Sequence, residues 1–354
     1  MSATTHLHSF RIVGPCTGDR WRVDAAAAFR AYCRLDPRAA VDREGYLGAF
    51  QCGDDFAVLL AETGSPAGFS GSTWAPYLHF DVDRDKVSGG LARALDDARR
   101  LINTLDEQYG VPRDVVVPYF SGSKGFHVGI PTALWQPTAS VEFHAVAREL
   151  AETIAAAAGV AIDVGVYDRV RAFRLPNSLH TATGLHKRFV PIEIFDTVTV
   201  NGVLDMARAP EPFDPPSVDG VESIDFLVAA WDRAARAVAE RSAAAEQRRR
   251  EIASGLRAAT LNPATRQFLA RDVVQGDRHR LLYSAARNLA DLGCPLPAVR
   301  ALLTEPALDL GLPEKEVARQ IDCGHAAARP MAADTPEEIR GTAGEESTAG
   351  QGAT

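Results

Sequence analysis

Apolar and polar residues alternate most clearly from Tyr77 to Asp83, which predicts a β-strand with one buried face and one exposed face. Other short apolar runs indicate further strands, two of them joined by the small-residue turn Ser121–Gly125. These later strands are predicted at Val115–Phe120, Phe126–Ile130, Val160–Tyr167 and Val190–Phe195. Upstream, between Phe10 and Thr73, helical and irregular signals are mixed, with apolar positions around Ala25–Cys33 and Tyr46–Leu60.

Helical spacing of apolar residues predicts helices after the first strand and in the second half of the chain. Gly89-Gly90 opens a helix whose apolar residues are Leu91, Leu95, Ala98, Ile102 and Leu105. Ser140 is the predicted N-cap of a second helix, which carries Phe143, Val146, Leu150 and Ile154. Later helices are predicted within Val221–Leu256, at His279–Leu292 and at Glu314–Ile321.

Prolines cluster at positions 210, 212, 215 and 216. Such a cluster stiffens the chain and interrupts regular secondary structure, which indicates a domain boundary. We therefore predict a mixed domain over residues 1–209, a proline-rich linker with helices over 210–258, and a small helical domain over 259–328. Residues 329–354 are rich in Gly, Thr, Ala and Glu without periodicity, which predicts a disordered acidic tail. The predicted fold class is α+β.

The formal net charge of −8 is unevenly distributed along the chain. Acidic residues dominate after Met331, whereas basic residues concentrate between Val164 and Arg188. The members of this basic strip are Arg169, Arg171, Arg174, Lys187 and Arg188. A local basic strip can hold phosphate groups even in a chain that is acidic overall.

The five cysteines are scattered and none forms a C-x-x-C pair, so a zinc ribbon is not expected. The N-terminus lacks the basic start and apolar core of a secretory signal, and no stretch approaches the roughly 20 apolar residues of a membrane helix. We expect a cytoplasmic protein without a membrane partner.

Asp81-Val82-Asp83 is the first motif with chemical meaning. Side chains at alternate strand positions point to the same face, so both carboxylates are expected to project together. Paired carboxylates are ligands that Mg²⁺ and Mn²⁺ prefer. The motif does not begin a calcium loop of the EF-hand type, because Lys86 and Ala92 stand at its glycine and glutamate positions. The alternative is a surface acidic turn.

The second motif is the turn S-G-S-K-G-F-H, which runs from Ser121 to His127. Its small residues allow close approach of a backbone, and its hydroxyl, ammonium and imidazole groups can contact phosphate oxygens. It is not a Walker loop, because that loop needs G-x-x-x-x-G-K-[ST] leading into a helix. The alternative is a tight hairpin with an incidental lysine.

The third motif, D-V-G-V-Y-D-R-V-R-A-F-R, begins at Asp163 and ends at Arg174. Arginine binds phosphate through two parallel hydrogen bonds, and Arg171 lies three residues before Arg174. Two alternatives stay open: the arginines are a solvated surface run, and Asp163 is a turn or capping residue. Asp168 is a rival acid because it lies closer to the arginines.

Together the motifs supply three carboxylates, a phosphate-binding turn and an arginine pair, the set that metal-assisted nucleotidyl transfer requires. In this order they resemble the three signature motifs of the archaeo-eukaryotic primase superfamily. The resemblance covers about Tyr77 to Pro191. It is weaker upstream, and within it residues 175–184 are similar to a loop that is common in plasmid and phage primases. More loosely, residues 276–326 resemble a small helical domain that follows the catalytic core in some of those proteins.

This resemblance implies a catalytic core with a sheet like that of an RNA-recognition module, followed by a helical domain. It implies that a two-metal site for Mg²⁺ or Mn²⁺ is held by Asp81, Asp83 and Asp163, which would also be the catalytic residues. It assigns nucleotide binding to Ser121 or Ser123, Lys124, His127, Arg171 and Arg174. The family's usual zinc motif is missing here, which puts zinc-dependent template handling in doubt.

The implied activity is that of a primase-polymerase, a nucleotidyltransferase that uses a DNA template or primer and NTPs or dNTPs. The alternatives are a gap-filling or end-joining polymerase that does not initiate chains, and a nucleic-acid-binding accessory of replication without activity. No Walker lysine motif is present in the sequence, so a separate helicase is the expected partner. The sequence does not predict which sugar the enzyme selects.

Overall fold

The computed structural model describes residues 8–85, 87–216, 222–253, 260–273 and 276–328. The chain divides into two compact units, Met1–Ala245 and Glu246–Thr354. The predicted acidic tail lies outside the described residues. The domain boundaries predicted after residues 209 and 258 stay predictions.

The strands that the structure describes pair antiparallel in the first unit. They are β1 (His8–Val13), β2 (Trp21–Asp24), β3 (Gly45–Gly48), β4 (Gln51–Cys52), β5 (Thr73–Trp74), β6 (Tyr77–Asp83), β7 (Val117–Phe120), β8 (Gly125–Pro131), β9 (Ala172–Arg174), β10 (Leu179–His180), β11 (Leu185–His186) and β12 (Arg188–Phe189). One sheet has the order β5-β4-β1-β3-β9, with β2 also paired to β1, a second sheet has the order β12-β7-β8-β6, and β10 and β11 form a separate two-stranded sheet. The predicted α+β class with an antiparallel sheet is confirmed.

Helices cover one face of the second sheet. The helices that begin in the first unit are α1 (Ala25–Cys33), α2 (Asp54–Thr63), α3 (Gly90–Tyr109), α4 (Phe143–Ala157), α5 (Ile192–Phe195), α6 (Val200–Met206) and α7 (Asp225–Ala253). The predicted apolar stripe of α3 is confirmed, since Leu95, Ala98, Ile102 and Leu105 are buried in the core that α3 and α4 form with β6 and β8. The start of α7 contributes Leu227 to the same core.

Two predicted strands are wrong. The segment Val160–Tyr167 ends in a single turn of 3₁₀ helix, Val164–Tyr167, because the Asp163 side chain accepts a hydrogen bond from the Gly165 N–H and stabilises a turn instead. The segment Val190–Phe195 contains helix α5 instead. Pro191 lies directly before that helix and has no N–H to donate to a neighbouring strand.

Three smaller expectations also need correction. The helix predicted from Ser140 begins at Phe143 with Glu142 as its N-cap, because the backbone of Ser140 is already paired with that of Thr73. The strand predicted from Val115 begins at Val117, after a short 3₁₀ turn. The region between residues 8 and 74 contains strands β1–β5, most of which have only two to four residues and are too short to show a clear alternation.

The second unit contains α8 (Pro263–Leu269), α9 (Arg278–Asp291), α10 (Leu296–Asp309) and α11 (Glu314–Ala326). Its core is built from the apolar faces of these helices, with Phe268, Leu282, Leu303 and Ile321 fully buried. The helices predicted at His279–Leu292 and Glu314–Ile321 are confirmed, as is a long helix within Val221–Leu256. Among the described helices, none has both the length and the apolar composition that crossing a membrane requires.

Candidate active site

Strand β6 presents Asp81 and Asp83 on one face, as its alternation predicts. The opposite face carries Leu78, Phe80 and Val82, which are buried in the main core. Strand β8 pairs with β6 so that Asp81 lies opposite His127 and Asp83 lies opposite Gly125. The two carboxylates therefore project from a sheet that is rigidly supported by packing on its other side.

The turn between β7 and β8 lies against the end of β6. The Ser121 N–H donates to the Gly125 carbonyl at 2.9 Å, which closes the turn. Gly122 has φ +88°, a conformation that favours glycine, and a Cβ there would lie 3.2 Å from Cβ of His180. The turn places the Lys124 Nζ 3.1 Å from Asp83 Oδ2. A cationic side chain and a carboxylate are thus brought together at the edge of the site.

Arg174 reaches the site from the other sheet. Its strand, β9, pairs with β3, and its guanidinium donates to the Leu179 carbonyl at 2.9 Å and to the Tyr46 hydroxyl at 2.8 Å. Glu44 Oε1 accepts a third, longer bond at 3.3 Å. The neighbouring Phe173 packs against the His127 ring, with 4.5 Å between ring centroids. Arg174 is therefore held in place by Tyr46 of β3, by Glu44 directly before that strand and by Leu179 at the start of β10.

A cleft of about 180 Å³ joins the three predicted motifs, and we call it the site cleft. Its lining residues are Asp81, Asp83, Ser121, Ser123, Lys124, His127, Val166, Arg171, Ala172, Phe173, Arg174 and His180. The lining contains the residues predicted for nucleotide binding and two of the three predicted metal ligands. Carboxylates lie on the β6 side of the cleft and arginines on the β9 side.

Asp163, the third predicted ligand, lies beside Asp81 and does not line the cleft. Its backbone N–H donates to the Asp81 carbonyl at 2.8 Å, and its Oδ1 accepts from the Gly165 N–H at 2.8 Å. The capping role that the sequence left open is therefore present. The rival Asp168 is exposed, and its carbonyl accepts the N–H of Arg171 at 2.9 Å.

Asp81 has an unusual electrostatic environment. Burial, together with the negative charges of Asp83 and Asp163, raises the pKa of its carboxyl to about 8. Its buried Oδ1 has no hydrogen-bond partner among the residues that the structure describes. His127 Nε2 lies 3.5 Å from that oxygen, beyond good hydrogen-bond length, and burial holds the pKa of His127 well below 6.5. A neutral imidazole does not favour the ionised form of Asp81, whereas the charges of Lys187 and Lys124 do.

Lys187 is a site residue that sequence reasoning placed only within the basic strip. It is 2% exposed, its Nζ donates to the Arg174 carbonyl at 2.7 Å, and it lies 4.3 Å from the ring centroid of Phe173. Burial lowers the pKa of Lys187 to about 7, against an opposing effect of the Asp81 charge. Lys187 directly precedes the short strand β12, and the sequence around it has no pattern that predicts burial of a lysine.

Arg84 is a second residue that the sequence did not single out. Its Nε donates to Asp97 Oδ2 at 2.8 Å, and its Nη1 donates to the carbonyls of Asp83 at 2.6 Å and Ala161 at 3.0 Å. Asp97 is 1% exposed and belongs to α3. Arg84 thus ties the end of β6 to the segment that leads to Asp163. The D-x-D-R order alone does not reveal this role.

The side chains of the described residues are not arranged as a complete metal-binding site. Among those residues, no three His, Cys, Asp or Glu side chains are grouped so that they hold one ion. Asp83 is paired with Lys124, and one oxygen of Asp163 is used as a helix cap. Asp81 and Asp83 nevertheless offer what a divalent cation requires, namely adjacent carboxylate oxygens, one of them buried without a donor in the described chain.

Comparisons with known proteins do not assign the chain to a family. No protein-family model matches it, and neither does any curated protein. The crystal structure of primase RepB′ aligns over 91% of this chain and 90% of that chain, with 15% sequence identity and a TM-score of 0.34. At that identity and TM-score the likeness carries no functional argument.

Proposed function

We propose that this protein is a metal-dependent nucleotidyltransferase that joins nucleoside triphosphates to a nucleic-acid 3′ end on a DNA template. One observation carries the proposal: Asp81, whose buried Oδ1 has no hydrogen-bond donor in the described chain, and its neighbour Asp83 line a cleft whose other walls carry Lys124, Arg171 and Arg174. Nucleotidyl transfer requires a cation that is bound between carboxylates. It also requires basic side chains next to the cation, which bind the polyphosphate.

The fit of a divalent cation is supported by the charge of the site. Asp81 and Asp83 would hold Mg²⁺ or Mn²⁺, with Asp163 as the proposed third ligand. Bound there, the ion would neutralise developing negative charge and lower the pKa of the attacking hydroxyl. The raised pKa of Asp81 supports the assignment, because its ionised form is unfavourable until a positive charge compensates it.

The remaining residues act on the triphosphate. Ser121 and Ser123 line the cleft, and their hydroxyls would donate hydrogen bonds to phosphate oxygens. Lys124 is 59% exposed and pairs with Asp83, so its ammonium is free to turn toward phosphate when the carboxylate binds a cation. Arg171 and Arg174 supply fixed positive charge from the opposite wall, where it offsets the charge of the leaving pyrophosphate.

In the reaction, the 3′-hydroxyl oxygen of the primer or first nucleotide attacks the α-phosphorus. A new phosphate ester bond forms between that oxygen and the α-phosphorus, the bond from the α-phosphorus to the oxygen that bridges to the β-phosphate breaks, pyrophosphate leaves, and the hydroxyl proton passes to solvent. His127 is neutral, since burial and the charge of Lys187 keep its pKa well below 6.5. Its role is therefore to donate or accept a hydrogen bond at the cleft wall and not to supply positive charge.

The proposal is tested by nucleotide incorporation with the double variant Asp81→Ala, Asp83→Ala. We expect incorporation with Mg²⁺ or Mn²⁺ to be abolished while the circular dichroism spectrum is unchanged. Full activity in the double variant would overturn the assignment. Primer extension run beside a de novo assay on unprimed single-stranded DNA, with labelled NTPs and dNTPs, separates primer synthesis from extension alone.

A further inference from the structure

A hairpin of residues 179–186, formed by β10 and β11, lies against the turn that joins β7 and β8 at the site cleft. His180 and Leu185 are paired across its two strands. The Thr183 hydroxyl, near the tip of the hairpin, donates to the Gly122 carbonyl at 2.6 Å. A Cβ on Gly122 would lie 3.2 Å from that of His180. The hairpin therefore contacts the turn both through its tip and through His180.

The same hairpin is bound to the opposite wall of the cleft. The Leu179 carbonyl accepts a hydrogen bond from the Arg174 guanidinium at 2.9 Å. The Thr181 hydroxyl donates to Glu44 Oε1 at 3.1 Å, and that oxygen also accepts from Arg174 at 3.3 Å. His180 stands between these two contacts in the chain, so it lies between the turn on one side and Arg174 on the other.

The root of the hairpin is anchored in the interior of the first unit. Asn177 is fully buried, and its side-chain amide donates to the Tyr32 carbonyl at 3.1 Å and to the Glu211 carbonyl at 3.0 Å. Nδ1 of His186, at the other end of the hairpin, lies 2.8 Å from the Asn177 carbonyl oxygen. The hairpin is thus held at its root and at its tip, which gives His180 a fixed backbone position. A group that is fixed in advance loses little conformational entropy on binding.

The ring of His180 is available to a ligand in the site cleft. The residue lines the cleft, and no other described residue forms a hydrogen bond with either ring nitrogen. Nδ1 is buried, which leaves Nε2 as the nitrogen that can face the cleft. Burial, together with the charge of Arg174, lowers the pKa of His180 from 6.5, so the imidazole is neutral near about pH 7. With its proton on Nε2, the ring can donate one hydrogen bond.

We propose that His180 is a further substrate-binding residue, whose Nε2–H donates a hydrogen bond to a phosphate oxygen of the incoming nucleoside triphosphate. This inference rests on the proposed function and extends it, because it adds the hairpin to the triphosphate site. The neighbours of His180 indicate the ligand, since Lys124, Arg171 and Arg174 line the same cleft and favour an anion. Phosphodiesters of a nucleic-acid strand have the same oxygens, and the experiment separates these two sources.

The test removes the donor and then restores it. His180→Leu has no side-chain hydrogen-bond donor, whereas His180→Gln supplies a neutral amide N–H in place of Nε2–H. Ala182 is exposed at the tip of the hairpin and does not line the cleft, so Ala182→Leu is the matched control. Because His180 is only half-buried, all three variants are expected to fold, and their thermal unfolding midpoints check this.

Binding is measured by calorimetry with Mg²⁺, using each ribo- and deoxyribonucleoside triphosphate, inorganic tripolyphosphate and a single-stranded oligonucleotide as probes. We expect His180→Leu to weaken the binding of the triphosphates and of tripolyphosphate by about tenfold, the usual effect of losing one hydrogen bond to a charged group. His180→Gln should restore most of that affinity, and Ala182→Leu should resemble the natural protein. The affinity for the oligonucleotide should be the same in the natural protein and in every variant.

Equal affinity of the natural protein and His180→Leu for the triphosphates would overturn the proposal. A loss confined to the oligonucleotide would also overturn it, since a phosphodiester would then be the ligand. So would equal losses in His180→Leu and His180→Gln with lower unfolding midpoints, which would show a structural role. Failure of the proposed function gives a different result: the natural protein binds neither the triphosphates nor tripolyphosphate, and the double variant Asp81→Ala, Asp83→Ala retains activity. The two failures are therefore distinguishable.

Discussion

Gly125 and Asp83 lie opposite each other on paired strands, and a Cβ atom on Gly125 would be 2.3 Å from Asp83 Oδ1. It would also lie 2.3 Å from the carbonyl oxygen of Val82. No real side chain tolerates contacts this short with backbone atoms, so only glycine allows the turn to lie flat against the end of β6. The position of one proposed metal ligand thus depends on a residue that has no side chain.

Gly125→Ala should therefore separate the turn from β6 and displace Asp83. We expect a loss of unfolding free energy of about 1–3 kcal/mol from overpacking, and a loss of incorporation rate of about 100-fold from misplacement of the carboxylate. Gly276→Ala is the matched control, because a Cβ there has no neighbour within 4 Å among the residues that the structure describes. Chemical denaturation and steady-state incorporation measure the two effects, and wild-type activity in Gly125→Ala would contradict this account.

Asp81→Asn should stabilise the metal-free protein while it abolishes activity. The pKa of the Asp81 carboxyl is about 8 in the folded protein against 3.8 for the ordinary group, so the unfolded chain binds fewer protons between these values. Wild-type stability must then fall as pH rises through this window, and a side chain that does not titrate avoids that loss.

The measurement is thermal unfolding with a chelator at about pH 5 and about pH 8, followed by addition of Mg²⁺ or Mn²⁺. The stability advantage of Asp81→Asn should be larger at the higher pH. Added metal should raise the Tm of the natural protein more than that of the variant, because binding to the folded state alone stabilises it. Equal metal-induced shifts in the two proteins would contradict a role for Asp81 as a ligand.

The alternation of β6 predicted the pair Asp81 and Asp83 correctly because strand geometry is local. The same holds for the helical stripe of α3. By contrast, the strand predicted at Val160–Tyr167 is wrong, because the Asp163 side chain caps a turn there and the pattern of apolar residues does not show such a cap. The roles of Arg84 and Lys187 in the site could not be predicted from the sequence. Their partners, Asp97 and the Arg174 carbonyl, are 13 residues away and reached only through the tertiary fold.

Arg174→Ala should raise the apparent KM for the nucleotide, because the proposed charged hydrogen bond to phosphate would be lost. The expected increase is about 10- to 100-fold. Arg169→Ala is the control from the same basic strip, since Arg169 donates to the carbonyls of Phe69 at 3.1 Å and Val141 at 3.0 Å. Arg169→Ala should lower the free energy of unfolding and leave the KM for the nucleotide nearly unchanged. An unchanged KM in Arg174→Ala would remove that residue from the site.

The low pKa of His144 predicts a loss of folding stability in mild acid. Burial, assisted by the charge of Arg169, lowers the pKa of His144 to about 4 from 6.5. The unfolded chain therefore binds more protons between these values, and folding stability is lost as pH falls through them. His144→Phe removes this titration, so its denaturation midpoint should fall less than that of the natural protein between about pH 7 and about pH 4. Parallel pH profiles would contradict the prediction.

Asn substitutions at Asp163 and Asp168 decide which acid completes the proposed metal site. Asparagine still accepts a hydrogen bond, so Asp163→Asn keeps the cap on the Gly165 N–H and removes only the charge. The charge of Asp163 acts on Asp81, and its N–H donates to the Asp81 carbonyl at 2.8 Å. We therefore expect Asp163→Asn to lower incorporation by about 100-fold or more without loss of stability, whereas the exposed Asp168→Asn changes it little. The reverse result would make Asp168 the third ligand.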